Sequence, residues 1–133
     1  MSIVVDAIGY WLRATLRPRP VIAELKSRPD KVAIAFWVNL IFALLYSITA
    51  LIYHAIGRLP AIPPWIPLPE EQYYLYQTFW TVPWALATWI MFSGIAHLLA
   101  TIGRERPTPY RFEDALGVGG LAREAAVVLL ASP

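Results

Sequence analysis

Residues 32–57, VAIAFWVNLIFALLYSITALIYHAIG, run for about 26 positions without a formal charge. As a helix rising about 1.5 Å per residue the run is about 39 Å long, against a hydrocarbon core of roughly 30 Å. It is long enough to cross a bilayer with tilt. A second uncharged stretch lies between Glu71 and Arg104, and its strongly apolar part, Phe79 to Ile102, covers about 24 residues. A buried helix of a water-soluble protein is the alternative for any one such run. Runs beyond about 18 residues favour a span, and two in so short a chain compound the preference.

Composition points the same way. Of 133 residues, 58% are hydrophobic and 15% charged, and the mean hydropathy is +0.52. Soluble chains carry nearer 25% charge, so too little polar surface remains to cover a core in water. The chain has no cysteine, which excludes disulfide staples, thiolate metal sites and cysteine nucleophiles. The N-terminus does not read as a cleavable signal, because it lacks a basic n-region, carries Asp6 and reaches its first long apolar run only after Lys31. Residue 1 is therefore expected to be the mature start.

Although the net charge is +2, the basic residues flank apolar runs and form no nucleic-acid-binding face. Arg13, Arg17, Arg19, Lys26, Arg28 and Lys31 precede the first span, and Arg104, Arg106, Arg111 and Arg123 follow the second. Arg58 alone lies between them. A split of about ten to one predicts both termini in the cytoplasm and the connecting loop on the opposite side.

That loop leads through Pro60, Pro63, Pro64, Pro67 and Pro69, which remove backbone donors and keep the chain extended. Trp65, Tyr73, Tyr74, Tyr76, Trp80 and Trp84 gather beside it, as amphipathic rings do at headgroup level, and are expected to anchor the interface. An aromatic ligand cage is the sharper alternative. Glu70 and Glu71 after Pro69 suit a helix N-terminus, so the second helix is expected to start near Pro69. Before the first span, Ile8, Trp11, Leu12 and Leu16 fall on one helical face with Arg13 and Arg17 off it. That helix should end at Pro18 and Pro20, with a short second one from Pro20 through Lys26. The stripe fits either the cytoplasmic leaflet or the cytoplasmic face of the bundle.

Polar residues within the spans need partners or tasks. Asn39 lies about 11 Å and His97 about 8 Å from the cytoplasmic ends, with Ser93 one turn deeper, so the three share a level. Ser47 and Thr88 match nearer the middle. Interhelical hydrogen bonds worth about 0.6–2 kcal/mol per pair are the expected role; a proton-relay or quinone-type site is the alternative. His54 sits about 25 Å from His97 along the normal, so one metal cannot use both. Gly117, Gly119 and Gly120 lack the spacing and preceding strand of a phosphate loop, and in a membrane allow close helix approach. Glu70 and Glu71 lie at the outer headgroups, far from His97, so no metalloprotease site converges, and Ser93 with His97 on one helix makes no dyad. Neither an enzyme nor a metal or other cofactor is expected.

The stretch Gly94 to Ala122, GIAHLLATIGRERPTPYRFEDALGVGGLA, resembles the YIP family of Rab-interacting membrane proteins, particularly its bacterial branch. The matching elements are His97, Gly103, the hinge Arg104 to Pro109, Phe112, and Asp114-Ala115-Leu116-Gly117-Val118. PVIAELKSRPDK, entering the first span, is similar to the family's entry segment. The resemblance implies a bundle of about five helices; eukaryotic members serve vesicle trafficking with small GTPases, and bacterial relatives have no settled biochemical role. The chain departs from the pattern at Arg123 and Glu124, after which AAVVLLASP is too short to span, as a truncated or altered C-terminus would read.

The expected protein is thus an all-α transmembrane hairpin. A cytoplasmic amphipathic segment (1–31) precedes span one (32–57), an external Pro/aromatic-rich loop (58–71) and span two (72–103), with a basic hinge and incomplete third helix (104–133) following. It is expected to work as a non-enzymatic scaffold or trafficking-type component, or as a subunit of a small transporter or permease with a polar path at Asn39, Ser93 and His97. Its partners would be the lipid bilayer and other membrane helices, in a homo-oligomer or with a partner subunit. Arginine outnumbering lysine points weakly to a GC-rich prokaryotic genome, and so to a prokaryotic cell membrane.

Overall fold

The computed structural model of the chain describes residues 2–61, 67–102 and 111–131, with side chains as far as Leu121 except that of Ala100. Every regular element among the described residues is helical: α1 (Ile3–Leu16), α2 (Pro18–Lys26), α3 (Lys31–Ala55), a 3-10 turn (Glu70–Gln72), α4 (Tyr73–Thr101) and α5 (Phe112–Ala131). The all-α class holds, and among the described residues α3 and α4 are the two helices long and apolar enough to cross a membrane. Pro63, Pro64, Trp65, Gly103 and the whole of the expected hinge, Arg104 to Pro109, lie outside the described residues.

The breaks follow local chemistry. α2 begins at Pro18, two residues earlier than expected, because proline at the first helical position gives up only a donor that would be orphaned anyway. α3 closes in a Schellman motif. Gly57 takes φ +66°, its N–H reaches the His54 carbonyl at 3.0 Å and the Arg58 N–H reaches the Tyr53 carbonyl at 3.0 Å, a conformation that penalises any side chain. Pro69 caps the 3-10 turn that feeds α4. α5 continues as helix across Arg123 and Glu124, so the charges expected to interrupt a third span do not interrupt the backbone. Arginine and glutamate are good helix formers, and it is only their hydration that opposes hydrocarbon.

The chain divides into two compact units, Met1–Asn39 with Leu86–Pro133, and Leu40–Ala85. In the first, α1, α2 and α5 pack on one another around Ala7, Tyr10, Ala14, Val21, Leu25, Ile34, Val38 and Leu121. The face of α1 that is buried is the Ala7–Tyr10–Ala14 face, not the expected stripe; of that stripe only Trp11 joins the core from its edge. Tyr10 explains the choice. Its ring fills the core while its hydroxyl donates to Glu24 Oε1 at 2.6 Å, and Arg13 grips the same carboxylate with both terminal nitrogens at 3.2 and 3.3 Å. Arg28 bridges Asp30, at 2.6 and 2.7 Å, and Asp6, at 3.3 Å, with its guanidinium 5.5 Å from the Tyr10 ring centroid. Lys31, opening α3, donates to Asp114, opening α5.

In the second unit the C-terminal end of α3 and the N-terminal end of α4 meet through polar and aromatic groups. Gln77 donates to the Tyr46 hydroxyl at 3.2 Å, the Tyr53 and Tyr74 rings meet edge-on at 5.3 Å, and His54 Nδ1 lies 3.2 Å from the Glu71 carbonyl oxygen.

Hydrogen bonds from Tyr10 and Arg13 hold the Glu24 carboxyl below its ordinary value of 4.5, and Arg28 does the same for Asp30. A carboxylate titrating lower in the folded chain adds stability in full above its ordinary value and loses it as pH falls through the lowered one. Thermal unfolding of the reconstituted protein should therefore show a drop in midpoint on acidification below the ordinary carboxylate range. Glu24→Gln should lower the neutral-pH midpoint and flatten that drop.

Candidate functional site

Buried polar side chains of the first unit gather where α3, α4 and α5 approach. Asn39 on α3 is wholly buried and Ser93 on α4 is 1% exposed. Trp89, one turn before Ser93, donates its indole N–H to the Leu116 carbonyl of α5 at 3.0 Å, as a buried tryptophan must find an acceptor. Positions 89, 93 and 97 are spaced by four and so share a helical face. His97 ends the row in edge contact with Phe112 of α5, ring centroids 5.7 Å apart.

Glycine permits this approach. A Cβ on Gly120 would lie 2.7 Å from Trp89 Nε1, 2.8 Å from Asn39 Nδ2 and 2.9 Å from Ala35 Cβ. One on Gly119 would lie 2.9 Å from Ser93 Oγ, and one on Gly117 3.1 Å from Lys31 Cβ and Cγ. None of the Gly120 neighbours is free to yield, because Trp89 is tied to Leu116, Asn39 Nδ2 donates to the Ala35 carbonyl at 2.8 Å, and Ala35 Cβ is fixed by the backbone. The GVGG run is thus a packing edge laid on α3 and α4, as the small residues of membrane helices are.

The expected hydrogen bonds across the hairpin take a different form. Asn39 uses its amide N–H within α3, and neither its Oδ1 nor the Ser93 Oγ has a hydrogen-bond partner among the described residues. The physical reason is α5: Gly119 and Gly120 lie against the two side chains. Ser47 is buried in the second unit, where its carbonyl accepts from Thr78 at 3.5 Å; Thr88 is buried in the first. Of the expected interface anchors, Tyr73 and Tyr74 pack ring on ring at 5.2 Å, whereas Trp80 and Trp84 turn outward, 67% and 68% exposed, with Tyr76 also exposed. Trp89 carries no polar-residue signal in the sequence, and only its place one turn from Ser93 marks it. No group of three or more His, Cys, Asp or Glu able to hold a metal occurs among the described residues.

No family model, curated protein or solved structure matches the chain.

The packing edge sets a sign test within one protein. Gly120→Ala should destabilise by about 1–3 kcal/mol through overpacking. Gly94→Ala, where nothing lies within 4 Å of the added carbon, should be neutral or stabilise by up to about 1 kcal/mol through helix propensity. Denaturation of both variants in the same detergent checks the opposite signs.

Proposed function

We propose that the chain is an integral membrane protein of YIP-like type that works as a non-enzymatic scaffold, through helix packing with other membrane proteins. The observation that carries this reading is where the apolar side chains point. Leu45, Ile48 and Ile52 on α3 and Phe92, Leu98 and Leu99 on α4 are all exposed, on the two helices of spanning length. Water would penalise such a surface heavily, whereas lipid or a neighbouring helix accepts it. The concentration of lysine and arginine beside the two spans gives the orientation, with both termini cytoplasmic. Trp80 and Trp84, outward near the start of α4, suit the opposite interface.

Two contacts fall within the stretches that carry the YIP-like resemblance. Lys31, closing the PVIAELKSRPDK entry segment, pairs with Asp114 of the Asp-Ala-Leu-Gly-Val run. His97 and Phe112, the two ring-bearing elements of the resemblance, touch. The elements of that pattern are therefore joined in space as well as in order.

The unpartnered oxygens of Asn39 and Ser93 favour a second reading, a small transporter subunit with a polar path there. Asn39→Leu and Ser93→Ala separate the two. A scaffold should keep its assembly and its crosslinked neighbours in native membranes, since Asn39 donates only within its own helix. A transporter should keep assembly and lose flux or its proton dependence. Orientation is tested with an impermeant thiol reagent on a chain that has no cysteine of its own. Ala61→Cys should react in intact cells and Ser27→Cys only after permeabilisation; the reverse pattern would overturn the topology.

A further inference from the structure

α1 presents two apolar faces, and its packing accounts for one. At about 100° per residue, Ala7, Tyr10 and Ala14 occupy one narrow arc, and Val5, Ile8, Leu12 and Leu16 occupy another roughly 180° away. The first arc is in the core. The second is exposed: 52% at Val5, 40% at Ile8, 55% at Leu12 and 83% at Leu16. Four large aliphatic side chains in register over the length of a fourteen-residue helix form a continuous stripe.

Charge identifies what covers it. The two carboxylates of the α1–α2 segment are engaged, Glu24 by Arg13 and Asp6 by Arg28. Arg17, Arg19 and Lys26 have no carboxylate within ion-pair distance among the described residues, and all are exposed. Arg17 and Arg19 stand where the stripe ends at Leu16. An aliphatic stripe beside uncompensated arginines matches a lipid surface with anionic headgroups, where the stripe enters the acyl boundary and guanidiniums meet phosphates.

We propose that α1 is a two-sided docking helix: its Ala7–Tyr10–Ala14 face is fastened to α2 and α5, and its Val5–Ile8–Leu12–Leu16 face lies in the cytoplasmic leaflet, held by Arg17 and Arg19 on anionic headgroups. The inference rests on the membrane reading above, and the test keeps the two apart. Nitroxide labels are placed on single cysteines at Ile8, Leu12 and Leu16 and, as a stripe-off control, at Arg13; Ile48 on α3 is the span control. The whole chain is reconstituted in phosphatidylcholine vesicles with and without phosphatidylglycerol. Stripe labels should be several-fold more accessible to oxygen relative to a water-soluble nickel chelate than the label at Arg13. That preference should weaken without phosphatidylglycerol, and Arg17→Gln with Arg19→Gln should remove the dependence on the anionic lipid. Nickel-accessible stripe labels beside a shielded Ile48 would overturn this inference alone, and accessibility at both would overturn the membrane reading with it. Stripe labels shielded from both reagents, with spin–spin broadening that unlabelled protein dilutes away, would assign the face to a second copy and overturn the proposal.

Discussion

The packing of the first unit depends on how closely α5 can approach α3 and α4. Without a Cβ at position 120 the α5 backbone comes near enough for Trp89 to reach the Leu116 carbonyl. That hydrogen bond satisfies an indole N–H that would otherwise be costly in an apolar interior. The same approach buries Asn39 and Ser93 and brings Phe112 to His97. On the membrane reading proposed above, lipid gives little hydrophobic drive to press helices together, so close van der Waals contact and a few buried hydrogen bonds must supply the association. A glycine edge is the cheapest way to obtain both, despite the helix propensity each glycine gives up.

The two long apolar helices are legible in the sequence because an uncharged run of more than about 18 residues leaves a plain length signal. α3 and α4 occupy nearly the residues that hydropathy marks. Helix ends are legible where proline acts alone, as at Pro69. The inward face of α1 is not, because periodicity reports which residues are apolar and cannot say which of two apolar arcs meets protein. Tyr10 decides it, through a carboxylate fourteen residues away that no local pattern reveals. The third helix is hard to read for a related reason: charge at Arg123 and Glu124 looks like a break, yet it bears on the surroundings of a helix and leaves its backbone intact.

Within the candidate site, depth along the helices brings Asn39, Ser93 and His97 into the same unit. It misjudges their relation because it counts two helices where three meet. Asparagine in a helix can return its amide to the carbonyl one turn back, and Asn39 does so at Ala35. What remains is an amide oxygen and a hydroxyl oxygen, both enclosed, beside a backbone edge with no side chains to serve them. The signal that completes the site is the tryptophan one turn before Ser93, together with glycines at 119 and 120 on the next helix.

Those two oxygens bear on how far a scaffold role explains the molecule. A buried acceptor without a donor costs about 1–3 kcal/mol, and leucine or alanine at the same places would avoid it. If packing were the whole purpose of the three-helix contact, the glycines and Trp89 would suffice, and the seam would be more stable fully apolar. An enclosed oxygen of this kind calls for a donor that the neighbouring helices do not supply. Asn39 and Ser93 belong to different helices and face the same glycine edge. A modest shift of α5 would therefore alter the surroundings of both oxygens together, which makes α5 the element on which packing and any polar path would be coupled.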